Sequence, residues 1–325
     1  MNRNVILVIA ALFKAAFYLG QEEIVLATAN GSLYGTLLVP ASSEPVSVIL
    51  IVAGSGPTDR NCNVGDKHTN AYKMLAEDLK KAGIATLRYD KRGIGQSDLG
   101  VAAESELRFE MYMNDVKEWI DLLARDSRFS NVIVAGHSEG SLLGMIASEN
   151  NARVAGFISI AGAGRPADVI IKEQLANIHP PVRKVMYDML DTLKKGDTIP
   201  HVPPIYYSLF RPGVQPYMIS WFRYDPAIEI RKLKIPVLIV QGLTDIQVKE
   251  ADALELAGAL PTAQTKLISK MNHVLKNCDT LDKNIQLPVY NNPDLPLHAE
   301  LVPAIVDFVN GIPVKELKSG QRGKQ

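Results

Sequence analysis

Ser138 stands at the centre of Gly136-His137-Ser138-Glu139-Gly140, directly after the apolar run Val132-Ile133-Val134-Ala135 and before a helix-like stretch at 141–148. A serine hydroxyl attacks a carbonyl only when a base takes its proton and a carboxylate orients that base. The glycines two residues to either side suit a sharp strand-to-helix turn, where closely passing backbone leaves no room for a Cβ. Chance alone gives roughly 0.1 such five-residue patterns in a chain of this length, so the partners decide what the pattern means. Asp245 follows a strand-like run in Gly242-Leu243-Thr244-Asp245, and His273 follows the next run in Met271-Asn272-His273. Of the six histidines, His137 lies inside the turn, His179 and His201 lie in an insertion, and His68 precedes an early helix. His298, opening the last helix, is the only serious competitor for the base, and Asp252 belongs to a helix rather than to the loop that holds Asp245.

An attacked carbonyl becomes a tetrahedral oxyanion, which needs two backbone N–H groups already aimed at it. Glu139, directly after the serine, supplies one. The loop Ala53-Gly54-Ser55-Gly56-Pro57 supplies the other, with Ser55 the first choice and Gly56 the second. A dinucleotide-binding reading of this loop fails because Asp59 stands where a third glycine is required, and Asp98 fails the same test after Gly93 and Gly95.

Loops at the carboxyl ends of parallel strands would bring these residues together. Asn30-Gly31 marks a hairpin between strands at 23–28 and 32–39. Short apolar runs at 46–52, 84–89, 131–135, 154–160, 236–241 and 264–268 alternate with helix-period segments at 71–82, 109–124, 142–149, 250–260 and 298–310. That alternation predicts an α/β fold, a mainly parallel sheet with helices on both faces. The core occupies 21–163 and 234–312, and the pattern breaks at 164–233, a proline-rich stretch that reads as a cap insertion. This insertion holds more than a third of the chain's aromatic residues, and Tyr207, Phe210, Trp221 and Phe222 are candidates to line a substrate pocket.

The 35 basic and 35 acidic residues cancel, so nothing points to nucleic acid as a partner. Arg3 followed by an apolar stretch at 5–19 resembles a bacterial secretory leader over 1–20, too short and too interrupted for a membrane span. Export to the periplasm or beyond is the expected localisation, and 313–325 reads as a flexible basic tail. Cys62 and Cys278 lack zinc-ligand spacing, so no metal is expected; in an exported chain the two form a candidate disulfide.

Taken in order, the Gly-His-Ser-Glu-Gly turn, the segment Arg88-Tyr89-Asp90-Lys91-Arg92-Gly93-Ile94-Gly95-Gln96-Ser97, the loop 54–60 and the surroundings of Asp245 and His273 resemble the α/β-hydrolase superfamily. The nearest likeness is to bacterial serine esterases of the S33 and dienelactone-hydrolase-like kind. The resemblance implies an eight-stranded core, a helical cap after the sixth strand, and a Ser138, Asp245, His273 triad. It also implies cofactor-free hydrolysis of small acyl or aryl esters, with Asp90 and Arg92 as scaffold. Cys62 stands where that family's loop has glycine. An aminopeptidase on the same triad would need acids facing Ser138, for which Glu173, Asp188, Asp191 and Asp225 are available. An acyltransferase would share the acyl-enzyme, and a binding protein without turnover is the reading from a different class.

Overall fold

The computed structural model describes residues 21–313; the leader-like stretch 1–20 and the tail from 314 onward lie outside them. Eight strands form one sheet: β1 Gln21–Thr28, β2 Gly31–Leu38, β3 Val46–Val52, β4 Ala85–Tyr89, β5 Phe129–His137, β6 Val154–Ile160, β7 Val237–Gly242 and β8 Gln264–Ile268. Their order is β1-β2-β4-β3-β5-β6-β7-β8. From β4 to β8 every pairing is parallel, and β2 alone runs against its neighbours. The hairpin closes one residue earlier than Asn30-Gly31 suggested: Thr28 pairs with Gly31, leaving Ala29 and Asn30 as the turn. Thr28 Oγ1 fixes that register by donating to the Gly31 carbonyl at 2.8 Å and accepting from the Asn30 N–H at 3.2 Å.

Period-two side-chain alternation in β3 explains why it is apolar throughout. Val48, Leu50 and Val52 join one core, while Ile49 and Ile51 join another on the opposite face. The first core is roofed by α2 Phe109–Leu123 and α3 Glu139–Ser148, the second by α1 Ala71–Lys81 and the final helix, Leu301–Asn310. In α1 the buried set Tyr72, Leu75, Ala76 and Leu79 falls at the three- and four-residue spacing of one helix face.

Between β6 and β7 the chain forms α4 Ala167–Gln174, α5 Pro180–Lys194, α6 Tyr207–Phe210, α7 Gln215–Trp221 and α8 Pro226–Ile230. Prolines start α5, α7 and α8, where the missing N–H costs no intrahelical bond. Proline richness in this insertion therefore marks several short helices, not loop alone. These helices share an apolar cluster of their own, built on Leu190, Leu193, Phe210, Met218 and Phe222. After β7 comes α9 Glu250–Ala259; after β8 come α10 Lys283–Val289 and α11, the final helix already described. No described helix is long and apolar enough to cross a membrane.

Candidate active site

Strand β5 runs into Ser138, whose φ of 55° and ψ of −122° lie where L-residues rarely sit, and α3 starts at the next residue. The helix thus begins three residues before the hydrophobic period does, because the turn itself supplies its first residues. A Cβ on Gly136 would sit 2.1 Å from the Gly140 carbonyl oxygen, and one on Gly140 2.3 Å from that of Val52. Those clashes are the physical content of the glycine spacing. Glu139, as the first residue of α3, has an N–H with no intrahelical acceptor, at the positive end of the helix.

Asp245 and His273 meet although 28 positions separate them, with His273 Nδ1 and Asp245 Oδ2 2.7 Å apart. Asp245 is otherwise saturated: its Oδ1 accepts from the N–H groups of Gln247 at 2.7 Å and Val248 at 3.0 Å, and its Oδ2 from Gln241 Nε2 at 3.3 Å. Both residues are buried. His273 and Ser138 line one cavity of about 540 Å³, which Ser55, Tyr72, Gln247 and Tyr290 help to enclose. His298 lies elsewhere, its Nδ1 accepting from the Glu300 N–H at 3.3 Å.

A second cavity of about 200 Å³ opens on the other side of Ser138. Ser55, Ser138 and Gln247 belong to both. The smaller one runs under the cap and is walled by Leu142, Ile170, Ile171, Leu175, Leu209 and Trp221. Of the four aromatic candidates, only Trp221 reaches it. Phe210 and Phe222 are buried within the cap's own cluster, and Tyr207 is exposed, so these three are corrected from pocket to packing or surface.

The glycine loop approaches Ser138 closely: a Cβ on Gly54 would stand 3.1 Å from the Ser138 Cβ. Gly54's N–H is already committed, donating to Tyr72 Oη at 3.3 Å. Ser55 lines both cavities that hold Ser138, whereas Gly56 faces a separate one without it. Of the two candidates for the second donor, Ser55 is the one that shares its cavities with Ser138.

Tyr72 and His137, to which the sequence assigned no role, tie these loops together. His137 Nε2 lies 2.9 Å from the His273 carbonyl, which only accepts, so Nε2 carries the hydrogen. Its Nδ1 then accepts from Tyr72 Oη at 2.8 Å. Burial, with the neighbouring His273 second, pushes the His137 pKa down to about 3, so the ring stays neutral. Gln247 was also missed. Its position two residues beyond the acid was the available signal.

Cys62 adopts φ 73°, the left-handed conformation a glycine takes freely, and it lines the larger cavity. Burial raises its thiol to about 11. It and Cys278 are both buried free thiols, so the disulfide is not formed in this structure. Asp90 accepts from the backbone N–H and Nε of Arg60 at 2.7 and 2.9 Å, and Arg92 grips Asp115 through two nitrogens; neither Asp90 nor Arg92 lines a cavity with Ser138. Burial outweighs that grip and lifts the Asp115 carboxyl to about 6. Among the described residues no cluster suited to a metal ion occurs.

Residues 64–203 match the family described as serine aminopeptidase, S33. Over 259 residues the chain is 28% identical to Esterase EstD of Thermotoga maritima, covering 76% of this chain and 59% of that protein. The chain thus spans under two thirds of the length of this curated relative. Among solved structures, the α/β hydrolase GrgF from Penicillium sp. sh18 superposes with a TM-score of 0.59 at 16% identity, covering 89% of this chain and 98% of that one. Est1E from Butyrivibrio proteoclasticus with ferulic acid bound gives 0.55 at 16% identity, covering 82% and 94%. At such identities the likeness is one of fold.

Proposed function

We propose that this chain, an α/β-hydrolase by fold, is a serine carboxylic ester hydrolase acting on small acyl or aryl esters. One observation carries the reading: Ser138, on its left-handed turn, shares a cavity with a buried histidine whose far nitrogen is fixed by a buried carboxylate. In this mechanism Ser138 Oγ attacks the ester carbonyl, and His273 Nε2 takes its proton and returns it to the departing alcohol. Asp245 holds the Nδ1–H tautomer that leaves Nε2 free to accept. The N–H groups of Glu139 and Ser55 hold the oxyanion, and water then frees the acid from the acyl-enzyme.

The two cavities divide the substrate. The smaller is mostly apolar and takes the acyl or aryl part. The larger, with Thr58, Lys67, Thr69 and Gln247 on its wall, takes the alcohol.

The match to the S33 family makes an aminopeptidase the second reading. A free α-amino group needs an uncommitted acid facing Ser138, and the four cap acids are engaged elsewhere. Glu173 pairs with Arg165 at 2.7 Å and with Lys249, Asp188 with Lys184 at 2.7 Å, and Asp191 with Lys172, while Asp225 caps α8 through the Ala227 N–H at 2.9 Å. None of the four lines either cavity at Ser138. Rates on a p-nitrophenyl ester and on an aminoacyl anilide, with Ser138→Ala alongside, test both readings. The expected result is ester turnover that vanishes in Ser138→Ala; preference for the anilide would transfer the assignment to the peptidase.

A further inference from the structure

Lys91 lies behind the oxyanion loop and is only 4% exposed, an unusual place for an ammonium group, which loses most of its hydration there. Its Nζ donates to the Gly54 carbonyl oxygen. The nearest carboxylate, Glu139, is 3.7 Å away and itself accepts from Tyr217 Oη at 2.8 Å, so the carbonyl is the hydrogen-bond acceptor closest to the charge. Lys91 faces a third cavity, of about 500 Å³, together with Gly56, Pro57, Glu139 and Tyr217, and Ser138 is absent from it. Lys91 and Ser138 therefore meet the glycine loop in different cavities.

Gly54 C=O and Ser55 N–H are two ends of a single peptide group, planar and trans, so the direction of one dictates the direction of the other. Gly-Ser-Gly backbone is free to rotate such a unit, because neighbouring glycines tolerate the φ values a flip produces. Here both outer atoms of Gly54 are held, its N–H by Tyr72 and its carbonyl by Lys91. We propose that Lys91 is a positioning residue for ester hydrolysis: by holding the Gly54 carbonyl it fixes the Ser55 N–H towards the oxyanion and strengthens it as a donor. The assignment rests on the esterase reading above. A cation on the carbonyl end draws electron density from the N–H end of the same peptide, which matters most when negative charge develops opposite. The same ammonium faces the side chain of Glu139, whose N–H is the other donor, so one group braces both halves of the hole.

Lys91→Met keeps most of the unbranched side chain, one atom shorter, and removes the donor. The double variant Lys91→Met/Glu139→Gln also avoids leaving a stranded buried carboxylate and serves where the single variant folds poorly. For each, kcat and KM on a p-nitrophenyl ester, the melting temperature, and the inhibition constant of an alkyl trifluoromethyl ketone, which forms a tetrahedral serine adduct, are measured. The expected result is a fall in kcat of about ten- to hundredfold with KM within about twofold, and a ketone inhibition constant weakened by the same factor as kcat/KM. A variant that melts lower but keeps wild-type kcat and ketone affinity makes Lys91 a packing residue and overturns the proposal. Recovery of kcat in the double variant overturns it too, since the stranded carboxylate would then explain the loss. Turnover persisting in Ser138→Ala is the separate outcome that removes the esterase reading beneath it.

Discussion

At the scale of single residues, the site is made by atoms that are missing as much as by atoms that react. Gly54→Ala places a methyl group 3.1 Å from the Ser138 Cβ, so one of the two segments must give by a few tenths of an ångström. That displacement acts on the nucleophile directly, and kcat is expected to fall about tenfold with little change in KM, as steady-state kinetics would record. The three residues proposed to react could be named from the sequence because each sits on a loop after an apolar strand, in the order serine, acid, base, and the structure brings the acid and the base into contact. Lys91 was not, because the run around it reads as scaffold and nothing in residue type announces that a lysine will turn inward. Cys62 shows a subtler limit: it stands where the resembled loop has glycine, and it holds the positive φ, 73°, that glycine adopts freely, which residue type alone does not announce.

Elements set the dimensions of the cavities. Leu175, just after α4, forms part of the wall of the smaller one, and Leu175→Ala should lengthen it. The ratio of kcat/KM for an octanoyl over an acetyl ester is then expected to rise about tenfold, read from a chain-length series of p-nitrophenyl esters. Strands and core helices were readable to within a few residues, since burial on two faces or one leaves an unmistakable period. The insertion hid its architecture. Its aromatics looked like a pocket lining, but a cap of short helices has its own interior to fill, and Phe210 and Phe222 fill it. Helix α10 also escaped notice, being short and carrying Pro288 near its end. Yet Gln286 on that helix donates to the Thr244 carbonyl at 2.7 Å, fastening it to the acid's loop, and Leu287 and Pro288 wall the larger cavity.

For the whole molecule, the strand order β1-β2-β4-β3-β5-β6-β7-β8 places the ends of β5, β7 and β8 on one rim, a fact no local pattern encodes, since periodicity gives strands without neighbours. The buried neutral His137 makes stability depend on acid. Its folded pKa of about 3 lies below the ordinary 6.5, so the unfolded chain takes up the proton first. The contribution is complete above pH 6.5 and drains away as pH falls from there towards 3, by at most about 1.4 kcal/mol per pH unit. Thermal melts across that range should slope downward with acidification, and His137→Gln should give the flatter curve. The path from the Gly54 N–H through Tyr72 and His137 to the His273 carbonyl joins the oxyanion loop, the nucleophile's turn and the base's loop as one strut. Such a brace transmits damage as faithfully as order: a proton forced onto its central imidazole keeps the Nε2–H donor but turns Nδ1 from acceptor to donor, so the Tyr72 hydroxyl must reverse its part and acid should slacken the glycine loop's hold on the turn beneath it.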